Sequence, residues 1–200
     1  MISLFWHRRD LRIEDNAGLF KALKNSSAVQ PIFIFDSAIL SLLPSDDQRV
    51  IFIHQEVAKL KEKYKALGSD LLVYHGNPIE LLPQLVETHQ AKTVFTNRDY
   101  EPYALNRDQE IQVLLQQIGV SFIGAKDHVV FEKSEVMKAD GTPYTVFTPY
   151  SRKWKEKLNA FYLSAYPVEK YISSLKTSMG TALISLAEMQ FSSEQQLTFP

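Results

Sequence analysis

Short apolar runs rich in β-branched and aromatic residues recur along the chain: ISLFW at 2 to 6, VQPIFIF at 29 to 35, DLLVYH at 70 to 75, KTVFTN at 92 to 97 and VSFIG at 120 to 124. Runs of this kind suit strands buried on both faces. Helical periods lie between them. The clearest spans 47 to 67, where Val50, Ile53, Val57, Leu60, Tyr64 and Leu67 recur at spacings of three and four, and Gly68 follows as a C′ residue should. A second, 102 to 118, opens with Pro102, keeps Ala104, Ile111, Leu115 and Ile118 on one side and stops at Gly119. Asp15 or Asn16 is placed to cap a third helix running to Lys24. Strand and helix alternating in this way require parallel pairing with right-handed crossovers. The predicted fold is therefore α/β: a doubly wound, Rossmann-like parallel sheet of five strands ordered 3-2-1-4-5.

After residue 125 the alternation ends. A turn signal stands at Asp140-Gly141, and one more helix is predicted from Thr148 to Phe161. Beyond Pro167 the chain is richer in Ser, Thr and Gln, with SLAEM as its helical fragment. This divides the chain into a domain over 1–165 and a linker or docking tail over 166–200.

Composition narrows the function classes. Twenty-two Lys and Arg against 23 Asp and Glu leave a net charge of −1, so any nucleic-acid contact needs a local patch rather than a whole-molecule field. With no cysteine, thiolate chemistry and cysteine-ligated metals drop out. The apolar start is too short for a signal peptide and no run reaches membrane-spanning length, so the expectation is a cytoplasmic chain without a membrane partner.

The stretch FWHRRDLRIEDN, residues 5 to 16, turns abruptly from apolar to charged. In an open α/β sheet, ligands bind outside the carboxyl ends of strands, where the strand order reverses. With order 3-2-1-4-5 the segments His7 to Asp10, Asp36 and Asn97 to Glu101 converge on that rim. There is no G-x-G-x-x-G and no P-loop, so the usual phosphate cradles are absent. IFIFDS has the Asp of an aspartyl-phosphate nucleophile, but Ala38 stands where the second Asp is needed. No G-x-S-x-G elbow is present, and the five histidines show no ligand-like spacing, so neither triad chemistry nor a metal is expected.

Three segments, FWHRRDLRIEDN (5 to 16), NRDYEPYALNRD (97 to 108) and GTPYTVFTPYSRKW (141 to 154), resemble in order and separation the N-terminal domain of the DNA photolyase/cryptochrome family. The resemblance runs from residue 2 to about 165. It implies an antenna domain holding an auxiliary chromophore that passes excitation to FAD. The FAD would lie in a C-terminal helical domain that these 200 residues do not include, and that domain would be the chain's first partner. Damaged DNA would be met through the full-length protein, a deoxyribodipyrimidine photolyase in which light splits pyrimidine dimers, while this portion alone would be inactive. Folate-type relatives use an Asn-Glu pair where this chain has Tyr103 and Ala104, so the resemblance favours a deazaflavin or FMN over folate, with an empty pocket also open. The matching positions are Phe33, Ile34, Phe35, Asp36, Arg49, Asp99 and Glu101, and His7 and Arg8 after the first strand are cofactor-binding candidates beside them. Catalytic residues are not expected, since dipolar energy transfer needs no acid, base or nucleophile.

Plainer readings stand beside these. Arg8, Arg9, Asp10 and Arg12 can knit the domain through ion pairs with Glu14, Asp15, Asp99 or Asp108. Glu101 before Pro102 can simply favour a helix start, and Arg49 can be solvated surface. YSRKWKEK, residues 150 to 157, can be an exposed basic face with one packed Trp rather than a DNA contact. Two other functions remain open: a cryptochrome-like photosensory or interaction module, and an unrelated nucleotide-binding α/β domain.

Overall fold

A computed structural model describes residues 1–178 and 180–192. Five parallel strands, β1 (Ile2–His7), β2 (Ala28–Asp36), β3 (Leu72–Gly76), β4 (Thr93–Asn97) and β5 (Ser121–Ala125), form one sheet in the order β3-β2-β1-β4-β5. This is the predicted order. β1 is central, with Trp6 in register with Ile32 on one side and Thr96 on the other.

Because strand side chains alternate, β1 feeds two cores. Phe5 joins Phe33, Phe35 and Phe95 under helices α1 (Ala17–Asn25) and, after a short α2 (Ser37–Leu40), α3 (Gln48–Ala66). Leu4 and Trp6 join Ile32, Ile34 and Val94 on the opposite face, beneath α4 (Pro78–Thr88) and α5 (Pro102–Gln117). The predicted caps are present. Asn16 accepts from the Leu19 N–H at the start of α1, and Gly68 takes φ +77° after α3.

Beyond β5 two expectations need correction. The single helix predicted over 148–161 is two, α6 (Phe147–Lys157) and α7 (Ala160–Leu163). The break has a local cause: Asn159 turns its side-chain oxygen onto the Phe161 N–H at 3.0 Å and caps a new helix instead of continuing the old one. SLAEM is not helical. The Glu188 carboxylate accepts from the Ser185 N–H and hydroxyl, both at 2.7 Å, and the segment folds as turns.

The segment after Pro167 packs against the body. Val168, Leu175, Leu186, Met189 and Phe191 are buried in the core beside α1 and α3, and Lys176 N–H donates to the Val29 carbonyl at 2.8 Å. A buried ion pair fixes it further. Lys61 on α3 donates to Asp70 at 2.7 and 2.8 Å, and Thr181 N–H donates to the same carboxylate at 2.7 Å. The last part of the expected tail, 193–200, lies outside the described residues.

Candidate functional site

The carboxyl ends of β1, β2 and β4 meet at one edge of the sheet. The apolar β2 end delivers Phe33, Ile34 and Phe35 into the cores and Asp36 to the rim, almost enclosed. Asp36 is held from three sides. Its carboxylate accepts from the Ala38 N–H at 3.1 Å, the Tyr103 hydroxyl at 2.8 Å and the Arg107 guanidinium at 3.3 Å. Burial and then the hydrogen bond to Asp36 push the Tyr103 phenol up to about 12.

Arg107 is the centre of the arrangement. It is 5% exposed, pairs with Asp108 at 3.0 Å, and lies 4.8 Å from the Trp6 ring centroid and 5.5 Å from that of Tyr103. Arg8 approaches the same Trp6 ring at 5.0 Å, grips Asp108 at 2.7 Å and donates to the Asn97 carbonyl. The reversal between β1 and β4 is therefore filled by two guanidinium groups on one indole. Hollows flank this point. One, of about 300 Å³, follows Asp36 and is lined by Ser37, Leu40, Leu43 and His75, with Met189 and Phe191 of the tail closing it. Another, of about 310 Å³, is lined by Asp99, Tyr100, Leu105 and Phe122.

His7 is not on the water-accessible rim. It is fully enclosed, with Nδ1 2.9 Å from the Asp10 carbonyl and Nε2 2.7 Å from the Tyr64 hydroxyl. Asp10 beside it accepts from Arg8 N–H, Asn16 Nδ2 and Asn97 Nδ2 at 3.1, 2.9 and 2.7 Å. Burial alone would raise the Asp10 carboxyl, but His7, Asn16 and the Arg8 N–H together hold it well below the usual carboxylate range. His7 and Arg8 are thus committed to the scaffold.

The remaining predicted residues are more open. Asp99 accepts from the Tyr100 N–H at 2.7 Å, and Arg9 reaches Asp99 at 3.4 Å and Glu101 at 3.7 Å. Burial opposes the Asp99 charge, yet backbone N–H groups and Arg8 and Arg9 keep its carboxyl below normal. Arg49, largely exposed, pairs with Asp47 at the start of its own helix, at 2.5 Å. The structure thus joins Asp36 to the Arg8–Asp108–Arg107 cluster and Asp99 to Glu101 through Arg9, whereas Arg49 contacts neither group.

The family model described as DNA photolyase matches residues 3–170. The chain belongs to the DNA photolyase family. Its sequence is 34% identical to a deoxyribodipyrimidine photo-lyase of Synechococcus over 152 residues, 76% of this chain and 31% of that protein. It is 36% identical to a deoxyribodipyrimidine photo-lyase of Halobacterium salinarum over 165 residues, 78% of this chain and 34% of that protein. The chain thus spans about a third of the length of these curated relatives. Among solved structures, the archaeal photolyase of Sulfolobus tokodaii, described with two FAD molecules and a novel light-harvesting cofactor, superposes with a TM-score of 0.64 at 29% identity, covering 69% of this chain and 32% of that one.

In this photolyase-family domain, sequence reasoning missed Arg107, Lys61 and the Asn16–Asn97 pair. A signal for the first two existed. Arg107 falls on the buried stripe of Ala104, Ile111 and Leu115, and Lys61 on that of Val57, Leu60 and Tyr64. A charge on an apolar stripe calls for a buried partner. Asn97 had no such mark, since its partners Asp10 and Asn16 are more than 80 positions away.

Proposed function

We propose that this chain is a light-harvesting antenna domain that takes a flat tricyclic chromophore, a deazaflavin or FMN, at the rim after β2 and β4. It would pass excitation to FAD held by a helical domain of a longer photolyase, which would act on damaged DNA. The observation that carries this reading is the family match together with the Asp36 arrangement, in which one rim carboxylate is fixed by a hydroxyl, a guanidinium and a backbone N–H. Such fixing serves orientation, on which dipolar coupling depends.

The residues present fit a ring system of this kind. The hollow after Asp36 is at the small end of the range for ligand pockets and mixes apolar walls with serine hydroxyls. Asp99 and Glu101 offer acceptors for ring N–H groups, and the exposed Arg49 a cation for a side-chain phosphate. The folate alternative is weaker. Ala104 is buried and has no polar group, and the Tyr103 hydroxyl is already spent on Asp36.

Within this reading, Phe33, Ile34 and Phe35 form the floor through their backbone, Asp36 is the fixed acceptor, and His7 and Arg8 hold the floor in place. The bound chromophore would supply the absorption. The test is uptake. The purified chain is titrated with a deazaflavin and with FMN and followed by absorbance and fluorescence anisotropy, alongside the double variant Arg49→Ala with Asp99→Ala. The expected result is saturable uptake lost in the double variant while circular dichroism is unchanged. Equal affinity in both proteins would remove the site, and ATP binding without any pigment uptake would favour the nucleotide-binding alternative.

A further inference from the structure

A cleft of about 380 Å³ that shares no lining residue with the Asp36 hollow lies between the exit of β5 and α7. Its walls are unlike those of the two rim hollows. Three cations, Arg12, Lys21 and Lys126, face two carboxylates, Asp15 and Asp127. The carboxylates are engaged: Asp127 accepts from Arg12 at 2.8 Å and from the Ala17 N–H at 2.9 Å, and Asp15 accepts from the Tyr166 N–H at 2.8 Å. Lys126 is neutralised by Glu135 at 2.8 Å. Lys21 makes no ion pair among the described residues and stands exposed at the mouth, a cation left to meet an anion.

Its aromatic side chains are equally telling. Tyr162 is anchored against Phe131, with ring centroids 4.7 Å apart, whereas Phe161 is 79% exposed. The Phe161 ring, edge-on to Tyr162 with centroids 5.3 Å apart, offers an exposed face to a flat ligand beside the cleft. His128 adds a polar demand. It lines the cleft, and its buried Nε2 has no hydrogen-bond partner among the described residues, a state that is unfavourable unless a ligand or solvent group meets it.

We propose that this cleft is a binding site for a nucleoside monophosphate. The ring-stacking surface calls for a flat ligand, His128 Nε2 for a ring bearing heteroatoms, and the free charge of Lys21 for an anionic group. The volume suits one nucleotide. The proposal is independent of the antenna reading, because no residue of the Asp36 rim lines this cleft.

The test is calorimetric titration of the chain with AMP, beside adenosine, ribose 5-phosphate and inorganic phosphate. Lys21→Glu and Phe161→Ala alter exposed side chains and leave the cores untouched. AMP is expected to bind, each variant to weaken it about tenfold or more, and both half-molecules to bind more weakly than AMP by a similar factor. Arg49→Ala is expected to leave AMP affinity unchanged. Absence of AMP binding at millimolar concentration overturns the proposal, as does binding indifferent to both cleft variants or phosphate binding as tight as that of AMP. Loss of AMP in Arg49→Ala would overturn it by moving the nucleotide to the rim. A single-stranded oligonucleotide that binds where AMP does not would overturn it in favour of a nucleic-acid contact.

Discussion

Replacing Asp10 by Asn tests whether the polar cluster under the rim holds the domain together through charge. The carboxylate accepts three hydrogen bonds, from Arg8 N–H, Asn16 and Asn97, and lies 3.6 Å from His7 Nδ1, all without solvent. An amide of the same shape keeps one acceptor oxygen and turns an NH2 toward groups that are themselves donors. At least one buried donor then loses its partner, and the others exchange a charged acceptor for a neutral one. With hydrogen bonds to charged groups worth about 1.5–3 kcal/mol and an unpaired buried donor costing about 1–3, the loss is about 3 kcal/mol at pH 7. For a chain of this size that lowers Tm by roughly 6–12 °C. The pH dependence gives a second, sharper reading. The folded-state carboxyl titrates below its ordinary value of 3.8, so its stabilisation is fully present above that value and is lost as pH falls through the window beneath it. Asn cannot titrate. The gap between wild type and Asp10→Asn should therefore be constant from pH 7 to 5 and shrink by about 1 kcal/mol near pH 3. Urea unfolding followed by circular dichroism at pH 7, 5 and 3 measures it. A variant within about 0.5 kcal/mol of wild type at pH 7, or a gap that does not narrow in acid, would refute the assignment of Asp10 as a stabilising buried charge.

Two further substitutions probe the scaffold around the site. Lys61→Met leaves the Asp70 carboxylate buried with, among the described residues, only Thr181 donating to it, and should cost about 3–5 kcal/mol in urea unfolding. It should also make the chain after Lys176 more susceptible to limited proteolysis, and unchanged cleavage there would separate the ion pair from tail docking. Gly18→Ala places a Cβ 2.6 Å from Asn97 Oδ1 and 2.9 Å from the Phe5 ring, so it should destabilise by about 1–3 kcal/mol despite the better helix propensity of Ala. A neutral or stabilising result would mean that α1 can move off β4.

The fold was legible because its signals are local. Five apolar runs, the caps at Asn16 and Gly68 and the stop at Gly119 each lie within a few residues of what they determine, and the strand order then follows from crossover rules. Past β5 the local signals compete. A helical pattern across 148 to 161 is cut by one Asn, and the tail's contribution to the core through Leu186, Met189 and Phe191 has no periodicity to announce it. The site was legible only in part, because its pairings are long-range. Asp36 and Asp99 were recognisable by position at strand ends, but the side chain that organises Asp36 is Arg107, 71 positions away. Nothing local distinguishes such an Arg from a solvated one except its place on a buried helix stripe.

The titratable groups on and under this rim share a property that bears on what the rim can do. Asp10 and Asp99 are held below their ordinary range, while Tyr100 and Tyr103 are pushed above theirs, first by burial and then by hydrogen bonds to Glu132 and Asp36. Each shift moves a group further from neutrality. A general acid or base works best with a pKa near the operating pH, so these side chains keep one protonation state throughout the physiological range instead of exchanging protons. Fixed charges and fixed donors are what a site needs if its task is to hold a transition dipole at a set angle. The two arginines on Trp6 serve the same end, since Arg8 and Arg107 share Asp108 and cannot shift independently. Rigidity of this kind, rather than reactivity, is what the geometry around Asp36 provides. It accounts for why so much charge gathers where β1 leaves the core, with His7 and Arg8 facing inward.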